Sequence, residues 1–140
     1  MADKGAVDLI GRVPLFSECT SKELRAIAGV SKEVNHKPGD VLAREGDKGI
    51  GFFVIAEGEA KVSIGDRSRG KLGPGDFFGE ISLLDEGPRS ATVVAETPMR
   101  LYGLTAWTFR QLVAKNPAIS QKLLRVMADR LRRSSEDIRH

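Results

Sequence analysis

The chain has 140 residues, a formal net charge of +3 and an apolar content of 41%, which is ordinary for a globular protein. This length allows one domain to bury a hydrophobic core without disulfide bonds. No apolar run approaches the roughly 18 residues of a membrane-spanning helix, and the N-terminus does not have the pattern of a secretory signal. Because Cys19 is the only cysteine, no internal disulfide can form, and we expect a cytoplasmic location.

The first part of the chain predicts short helices over about residues 5–30. Thr20 and Glu23 have the spacing of a capping box, in which each side chain bonds the backbone N–H of the other residue. A short amphipathic helix is therefore expected to begin after Thr20. The preceding VPLF segment (13–16) is expected to pack on the part of the chain that comes after it.

Residues from about 34 to 104 predict short β-strands separated by turns. The segments KPGD (37–40) and GPGD (73–76) each place Pro and Gly at the central positions of a type II turn. The run FFVIAEGEAKVSI (52–64) has two apolar stretches around Glu57 and Gly58, which predicts a hairpin with Val62 on the inward face of its second strand. Regular short strands of this kind are typical of a β-barrel or jelly roll.

Two helices are predicted over about residues 105–139. Thr105 is placed to cap the first, which is expected to stop before Pro117. Trp107 and Phe109 on this helix are expected to be core anchors.

The second of these helices carries an apolar repeat and much of the positive charge. The repeat has the spacing of a coiled-coil seam and comprises Leu124, Met127, Leu131, Ser134 and Ile138. It fits either a homodimer contact or a stripe that packs on the same chain. From Arg110 onward eight cationic and three acidic residues give a net charge of +5, which leaves −2 for the rest. Without interleaved aromatic residues, this charge favours a solvated helix face over a nucleic-acid or membrane surface.

The segment FGEISLLDEGPRSATV (78–93) combines residues that suit a particular ligand. Its first residues can form one or two helical turns, whose initial N–H groups are unpaired and attract an anion. Gly79 allows a ligand to approach the backbone closely, and Arg89 offers a planar fork of donors that suits a phosphate. Glu80 needs a different partner, for which a sugar hydroxyl is the natural candidate. A 3′,5′-cyclic nucleotide has both groups.

This segment resembles the phosphate-binding cassette of the cyclic nucleotide-binding domain family, which includes catabolite activator proteins, regulatory subunits of cyclic-nucleotide-dependent kinases and gated ion channels. The resemblance covers nearly the whole chain. It implies one domain over residues 1–140, mainly β with flanking α-helices: short N-terminal helices, an eight-stranded, jelly-roll-like β-roll and C-terminal helices.

The resemblance also implies individual roles for cassette residues. Glu80 is expected to bind the ribose 2′-hydroxyl and Arg89 the cyclic phosphate. Nearby backbone N–H groups would complete the phosphate site, at Gly79, Ile81, Ser82, Ser90 and Ala91. In the alternative interpretation, Glu80 and Arg89 only pair with each other and fix the loop.

The nucleotide base is expected to lie against Val62 and its inward neighbours. Catabolite activator proteins place a Thr-Ser pair on the long helix against the adenine, and the same spacing here falls on Ser134 and Ser135. Ser90 can serve cGMP in some relatives, but relatives that bind cAMP also carry serine there. We therefore expect cAMP, with cGMP as the alternative.

The expected function is a cAMP sensor module, not an enzyme, whose C-terminal helices change position or pairing on binding. The alternatives are the effector domain of a catabolite-activator-type transcription regulator without its DNA-binding part and a cGMP-selective sensor. We expect neither nucleic-acid nor membrane binding by this chain alone. His36 and His140 are far apart in the sequence and lack a set of metal ligands around them, so no metal is expected.

Overall fold

The structure is a computed structural model that describes residues 4–49, 51–85 and 87–139. Four α-helices flank the strands: α1 (Lys4–Gly11), α2 (Ser21–Gly29), α3 (Ala106–Lys115) and α4 (Pro117–Arg139). The eight strands are β1 (Lys32–His36), β2 (Val41–Ala43), β3 (Gly51–Glu57), β4 (Ala60–Ile64), β5 (Arg67–Leu72), β6 (Phe77–Phe78), β7 (Thr92–Ala95) and β8 (Met99–Thr105). Two 3₁₀ turns, Pro14–Phe16 and Glu80–Leu83, complete the regular elements. The predicted β-roll with flanking helices is confirmed.

The strands form two four-stranded antiparallel sheets, ordered β1-β8-β3-β6 and β2-β7-β4-β5. Side chains of both sheets share one buried cluster, which includes Ile55, Val93 and Leu101. A second cluster packs the helices on the other face of the first sheet, through Phe52 and Leu104 among others. Strands β3 and β8 are therefore buried on both faces over most of their length, which explains why GFFVIA (51–56) and LYGL (101–104) contain no charged residue.

The predicted hairpin around Glu57 and Gly58 is wrong. Strand β3 pairs with β6 and β8 in one sheet, whereas β4 pairs with β5 and β7 in the other. Gly58 has a φ of +96°, and a Cβ at this position would lie 2.8 Å from the side chain of Met99. The chain therefore turns a corner between the sheets, alongside the similar crossing from β7 to β8. The true hairpin joins β4 to β5, where Ile64 lies opposite Arg67.

The predicted turns and helix caps are present. Gly39 and Gly75 have φ values of +91° and +90° in the two Pro-Gly turns. Thr20 and Glu23 form both bonds of the capping box at the start of α2, and Thr105 accepts a bond from the N–H of Thr108 at the start of α3. These signals depend only on neighbouring residues, which is why the sequence shows them clearly.

The VPLF segment packs on the core as expected through Val13, Leu15 and Phe16, each at most 1% exposed, whereas Pro14 is exposed. Phe109 is also in the core, but the prediction for Trp107 is wrong because its side chain is 68% exposed. Two residues of an α-helix separate these side chains by roughly 200° around the axis, so both cannot face one core. Ala106, which neighbours Trp107, is fully buried.

Helix α4 packs on its own chain through a different face from the predicted repeat. The buried face includes Ile119, Leu123 and Val126, whereas Leu124 and Leu131 are 69% and 68% exposed. Met127 is partly buried against the helical core, and the side chain of Ile138 lies outside the described residues. Helix α4 therefore packs on its own chain mostly through residues that do not belong to the predicted repeat.

Ion pairs connect α4 to the N-terminal part of the chain. Glu23, which also caps α2, pairs with Lys122, and Glu18 pairs with Arg125 at 3.0 Å. These contacts fix the orientation of α4 against the N-terminal helices. No described helix, α4 included, combines the length and the apolar character that spanning a bilayer requires.

Candidate functional site

A cleft of about 450 Å³ opens beside the 3₁₀ turn Glu80–Leu83 and the loop that follows it. All the residues expected around the phosphate and the ribose line this cleft: Gly79, Glu80, Ile81, Ser82, Arg89, Ser90 and Ala91. Ala43, Phe78 and Val93 provide an apolar wall. A cleft of this size and mixed lining is suitable for a small-molecule ligand.

Gly79 sits where the chain enters the 3₁₀ turn. Its φ is +83°, in the left-handed region that favours glycine. A Cβ here would collide with Nη1 of Arg89 and would lie 2.5 Å from the carbonyl oxygen of Gly51. The arginine side chain could shift, but the backbone oxygen is fixed in β3, so the position requires glycine.

The start of the turn presents unpaired donors. In the described part of the chain, the backbone N–H groups of Glu80 and Ile81 have no hydrogen-bond acceptor, and the same holds for Ser90 and Ala91. The N–H of Ser82 differs, because it donates to the carbonyl oxygen of Gly79 at 3.0 Å. The 3₁₀ pattern bonds each residue to the third before it, so Ser82 already has its partner. In this structure the N–H of Ser82 is therefore not free for a ligand, and Ser82 contributes to the cleft through its hydroxyl group, which accepts a hydrogen bond from Arg89.

The guanidinium of Arg89 is held by neutral acceptors. Nη2 donates to the carbonyl oxygen of Gly51 at 2.8 Å, and Nη1 donates to the hydroxyl oxygen of Ser82 at 3.2 Å. No described carboxylate forms an ion pair with it, and Glu80 in particular does not. The half-buried position lowers the pKa of Arg89 through desolvation, but a guanidinium remains protonated. Arg89 and Glu80 are thus separate features of the cleft and not a pair that fixes the loop.

The backbone of Arg89 is positioned by a short antiparallel pairing with the segment before β3. Its N–H donates to Asp47 at 2.7 Å, and the N–H of Gly49 donates to Gly87 at 3.0 Å. A Cβ on Gly49 would overlap the hydroxyl of Ser82. The sequence patterns did not identify this segment as part of the site. The close spacing of glycines in GDKGIG (46–51) is the only signal of it.

Three predicted residues lie outside the cleft lining. Val62 is paired with Val93 across β4 and β7. Paired residues project to the same face of a sheet, so Val62 packs beside Val93 in the inner cluster. Ser134 and Ser135 are exposed on α4, and the cleft is lined by no described residue of that helix. In this arrangement the two serines do not meet a ligand in the cleft of their own chain.

Comparisons with known proteins agree with this geometry. Residues 33–116 match the cyclic nucleotide-binding domain family. The chain is 34% identical over 129 residues to a putative potassium channel protein of Rhodopseudomonas palustris, covering 90% of this chain and 31% of that protein. It is 31% identical over 138 residues to a CRP-like cAMP-activated global transcriptional regulator of Mycobacterium tuberculosis, covering 94% and 61% respectively.

The fold is also found among solved structures. The N-terminal domain of a transcriptional regulator from Streptomyces coelicolor superposes with a TM-score of 0.86 at 31% identity, covering 93% of this chain and 94% of that domain. This chain therefore belongs to the cyclic nucleotide-binding domain family. It spans about a third of the channel protein and three fifths of the M. tuberculosis regulator.

The packing at Gly79 generates a prediction. Gly79→Ala should displace Arg89 and weaken cyclic nucleotide binding by at least about tenfold, because the guanidinium and the new methyl group cannot both occupy the space beside Gly51. Gly39→Ala is a matched control, since its φ is +91° but nothing lies within 4 Å of a Cβ there. The control should lose only about 1 to 2 kcal/mol of stability from backbone strain. Calorimetric titration and urea unfolding of both variants make the comparison, and equal cAMP affinities would contradict this account of Gly79.

Proposed function

We propose that this chain is a cAMP sensor module whose C-terminal helices change position or pairing when the nucleotide binds. The observation that carries the proposal is the placement of three features in one cleft. Among the described residues, an arginine has no counter-ion, several N–H groups have no acceptor and a carboxylate has no partner. The proposal treats residues 1–140 as one domain. The relatives support a regulatory role, since their names describe channels, kinase regulatory subunits and transcriptional regulators.

The cyclic phosphate would bind between Arg89 and the unpaired N–H groups. A cyclic phosphodiester carries a single negative charge, which matches the single uncompensated guanidinium. The fork of Arg89 would exchange at least one of its neutral acceptors for a phosphate oxygen, which forms a stronger, charge-assisted bond. The N–H groups of Ile81 and Ala91 would complete the contact in the manner of other backbone anion sites.

The ribose would be recognised by Glu80. Among the described residues its carboxylate has no hydrogen-bond or ionic partner, and an ionised carboxylate can only accept hydrogen bonds. The 2′-hydroxyl of a 3′,5′-cyclic nucleotide is a donor at a fixed distance from the phosphate. Glu80 and Arg89 would therefore read the sugar and the phosphate of the same ligand.

The base would lie against Ala43, Phe78 and Val93, with Val62 beside Val93 on the same face of the sheet. This wall is apolar and does not itself distinguish adenine from guanine. Our preference for cAMP rests on relatives whose names include cAMP-dependent and cAMP-activated proteins, and the hydroxyl of Ser90 leaves cGMP as the alternative. Ser134 and Ser135 could contact a base only after α4 moves, or from the α4 of a second copy.

Leu83 provides a route from the ligand to the helices. It belongs to the 3₁₀ turn that lines the cleft, yet its side chain is 2% exposed and packs in the helical cluster with Phe109 and Leu123. Closure of the turn on a phosphate would shift Leu83 against both α3 and α4. Close-packed interfaces of this kind have few alternative arrangements, so a small shift favours a discrete change of helix position.

A homodimer through α4 is part of the proposal. Leu124 and Leu131 are seven residues apart, lie on one face of the helix and are both more than two-thirds exposed. An apolar stripe of this kind is suited to a second copy of the helix. Within this proposal the module acts in the cytoplasm and has no catalytic activity. Its target, which other segments or proteins supply, could be a channel, an enzyme or a transcription unit.

The ligand assignment predicts the behaviour of Arg89→Ala. Charge-assisted hydrogen bonds contribute about 1.5 to 3 kcal/mol each. The loss of one weak bond should therefore weaken cAMP binding by about tenfold, and the loss of two strong bonds by about ten-thousandfold. Without ligand the variant should remain folded and lose at most about 2 kcal/mol, because the bonds to Gly51 and Ser82 can be replaced by water. Thermal melts with and without cAMP test both statements.

Arg44→Ala is the control for this experiment, because Arg44 is an exposed arginine outside the cleft. It should keep the full thermal shift that cAMP gives the wild-type protein. If Arg89→Ala also kept the full shift but melted far lower without ligand, Arg89 would be a structural residue and the ligand assignment would fail.

The dimer proposal predicts that Leu131→Asp is monomeric under conditions in which the wild-type protein is a dimer. An aspartate in an apolar seam would be desolvated without a partner, while the exposed position leaves the β-roll unaffected. Gln121→Asp, also exposed on α4, should remain dimeric. Sedimentation velocity distinguishes these outcomes, and a wild-type monomer at all concentrations, with or without cAMP, would reject the seam.

A further inference from the structure

Three ionisable side chains line the cleft among the described residues, and their charges do not balance. Arg89 contributes the only cation, whereas Glu80 and Asp85 contribute two carboxylates. An anion site with more acidic than basic side chains is unexpected, because each carboxylate repels the ligand. Glu80 has a role in the proposed function as the acceptor for a sugar hydroxyl. Asp85 has no such role.

Asp85 is fixed at the edge of the cleft by its backbone. It follows the 3₁₀ turn, and its N–H donates to the carbonyl oxygen of Ile81 at 2.8 Å. Its side chain is exposed, and Oδ2 is directed toward Gly87, where a Cβ would lie 3.6 Å away. In the described part of the chain, the carboxylate has no ionic or hydrogen-bonding partner that would neutralise it.

We propose that Asp85 is a specificity-determining residue that disfavours nucleotides carrying more than one negative charge. The inference rests on the proposed function, since it assumes that a nucleotide phosphate binds beside Arg89. A carboxylate that holds no part of the ligand acts only by repulsion, which is a way to discriminate against the wrong ligand at a small loss for the right one.

The size of the effect depends on the charge of the ligand. Repulsion from a fixed unit charge is proportional to the ligand's charge, which is −1 for a cyclic diester and close to −2 for a 5′-monophosphate above pH 7. From a carboxylate at the edge of a cleft that is open to water, each unit of ligand charge should weaken binding by about threefold to tenfold. Neutralising Asp85 should therefore improve the binding of cAMP, which has one negative charge, by about threefold to tenfold. For 5′-AMP, which has two charges, the improvement should be the square of that factor. The selectivity for cAMP over 5′-AMP should therefore fall by about threefold to tenfold.

The test measures the selectivity as the ratio of the inhibition constants of 5′-AMP and cAMP. Wild-type protein, Asp85→Asn, Asp85→Glu and the control Asp66→Asn are saturated with a fluorescent cAMP analogue, which is then displaced by cAMP or 5′-AMP at pH 7.5 and low salt. Asp66 is exposed in the turn between β4 and β5 and does not line the cleft. Asp66→Asn therefore makes the same change in net charge at a distant place.

We expect the ratio of the two inhibition constants to fall by about threefold to tenfold in Asp85→Asn. Asp85→Glu and Asp66→Asn should stay within about twofold of the wild-type ratio, and 1 M salt should reduce the difference between wild type and Asp85→Asn. An unchanged ratio in Asp85→Asn, or an equal fall in Asp66→Asn, would overturn the role of Asp85 while leaving the proposed function intact. Failure of the wild-type protein to bind the analogue would instead overturn the proposed function, and this inference with it.

Discussion

The structure around the cleft depends on one half-buried guanidinium, that of Arg89, which has no carboxylate partner among the residues that the structure describes. Burying a cation is unfavourable unless its donors find acceptors, and Arg89 finds them in the carbonyl oxygen of Gly51 and the hydroxyl of Ser82. These acceptors are neutral and take two of the five guanidinium N–H donors, so the positive charge remains. Such a site is preorganised for an anion, because the arginine does not have to break an ion pair before it binds one.

The position of the Arg89 guanidinium depends on residues that are distant from it in the sequence. Gly49 and Gly79 must lack side chains to leave room beside Ser82 and Arg89. The loop that carries Arg89 is aligned by its pairing with the segment before β3, and β3 is held by burial on both faces. The cleft is thus anchored to a strand that is buried on both faces, which favours a precise geometry.

The same elements connect the cleft to the helices. The 3₁₀ turn lines the cleft with its first residues and enters the helical core through Leu83. Helix α4 is joined to the N-terminal helices by Glu23 and Lys122, and Glu23 is also part of the capping box of α2. The helices on both sides of the β-roll in the sequence therefore meet as one layer in space, and a signal from the turn would reach both.

Local chemistry explains which features could be predicted from the sequence. Helix caps, Pro-Gly turns and the cassette residues are signalled by neighbouring positions, and the structure brings the predicted cassette residues to one cleft. The sheet assignment of β3 and β4 could not be predicted, because a tight turn at Gly58 looks the same in a hairpin and in a corner between sheets.

Other features depend on contacts that are distant in sequence. The bond from Arg89 to Gly51 spans 38 residues, and the exposure of Trp107 depends on which face of α3 meets the core. The distance of Ser134 and Ser135 from the cleft follows from the direction of α4. Asp85 was not singled out because an acidic residue in a loop is ordinary until the charges of the whole cleft are known.

The most direct test of the account is a crystal structure of the chain with cAMP. We predict that a phosphate oxygen lies within hydrogen-bonding distance of the Arg89 guanidinium and of backbone N–H groups at Ile81 or Ala91. The ribose 2′-hydroxyl should donate to Glu80. A nucleotide bound elsewhere, such as in the apolar groove between α3 and α4, or one whose phosphate faces solvent away from Arg89, would contradict it.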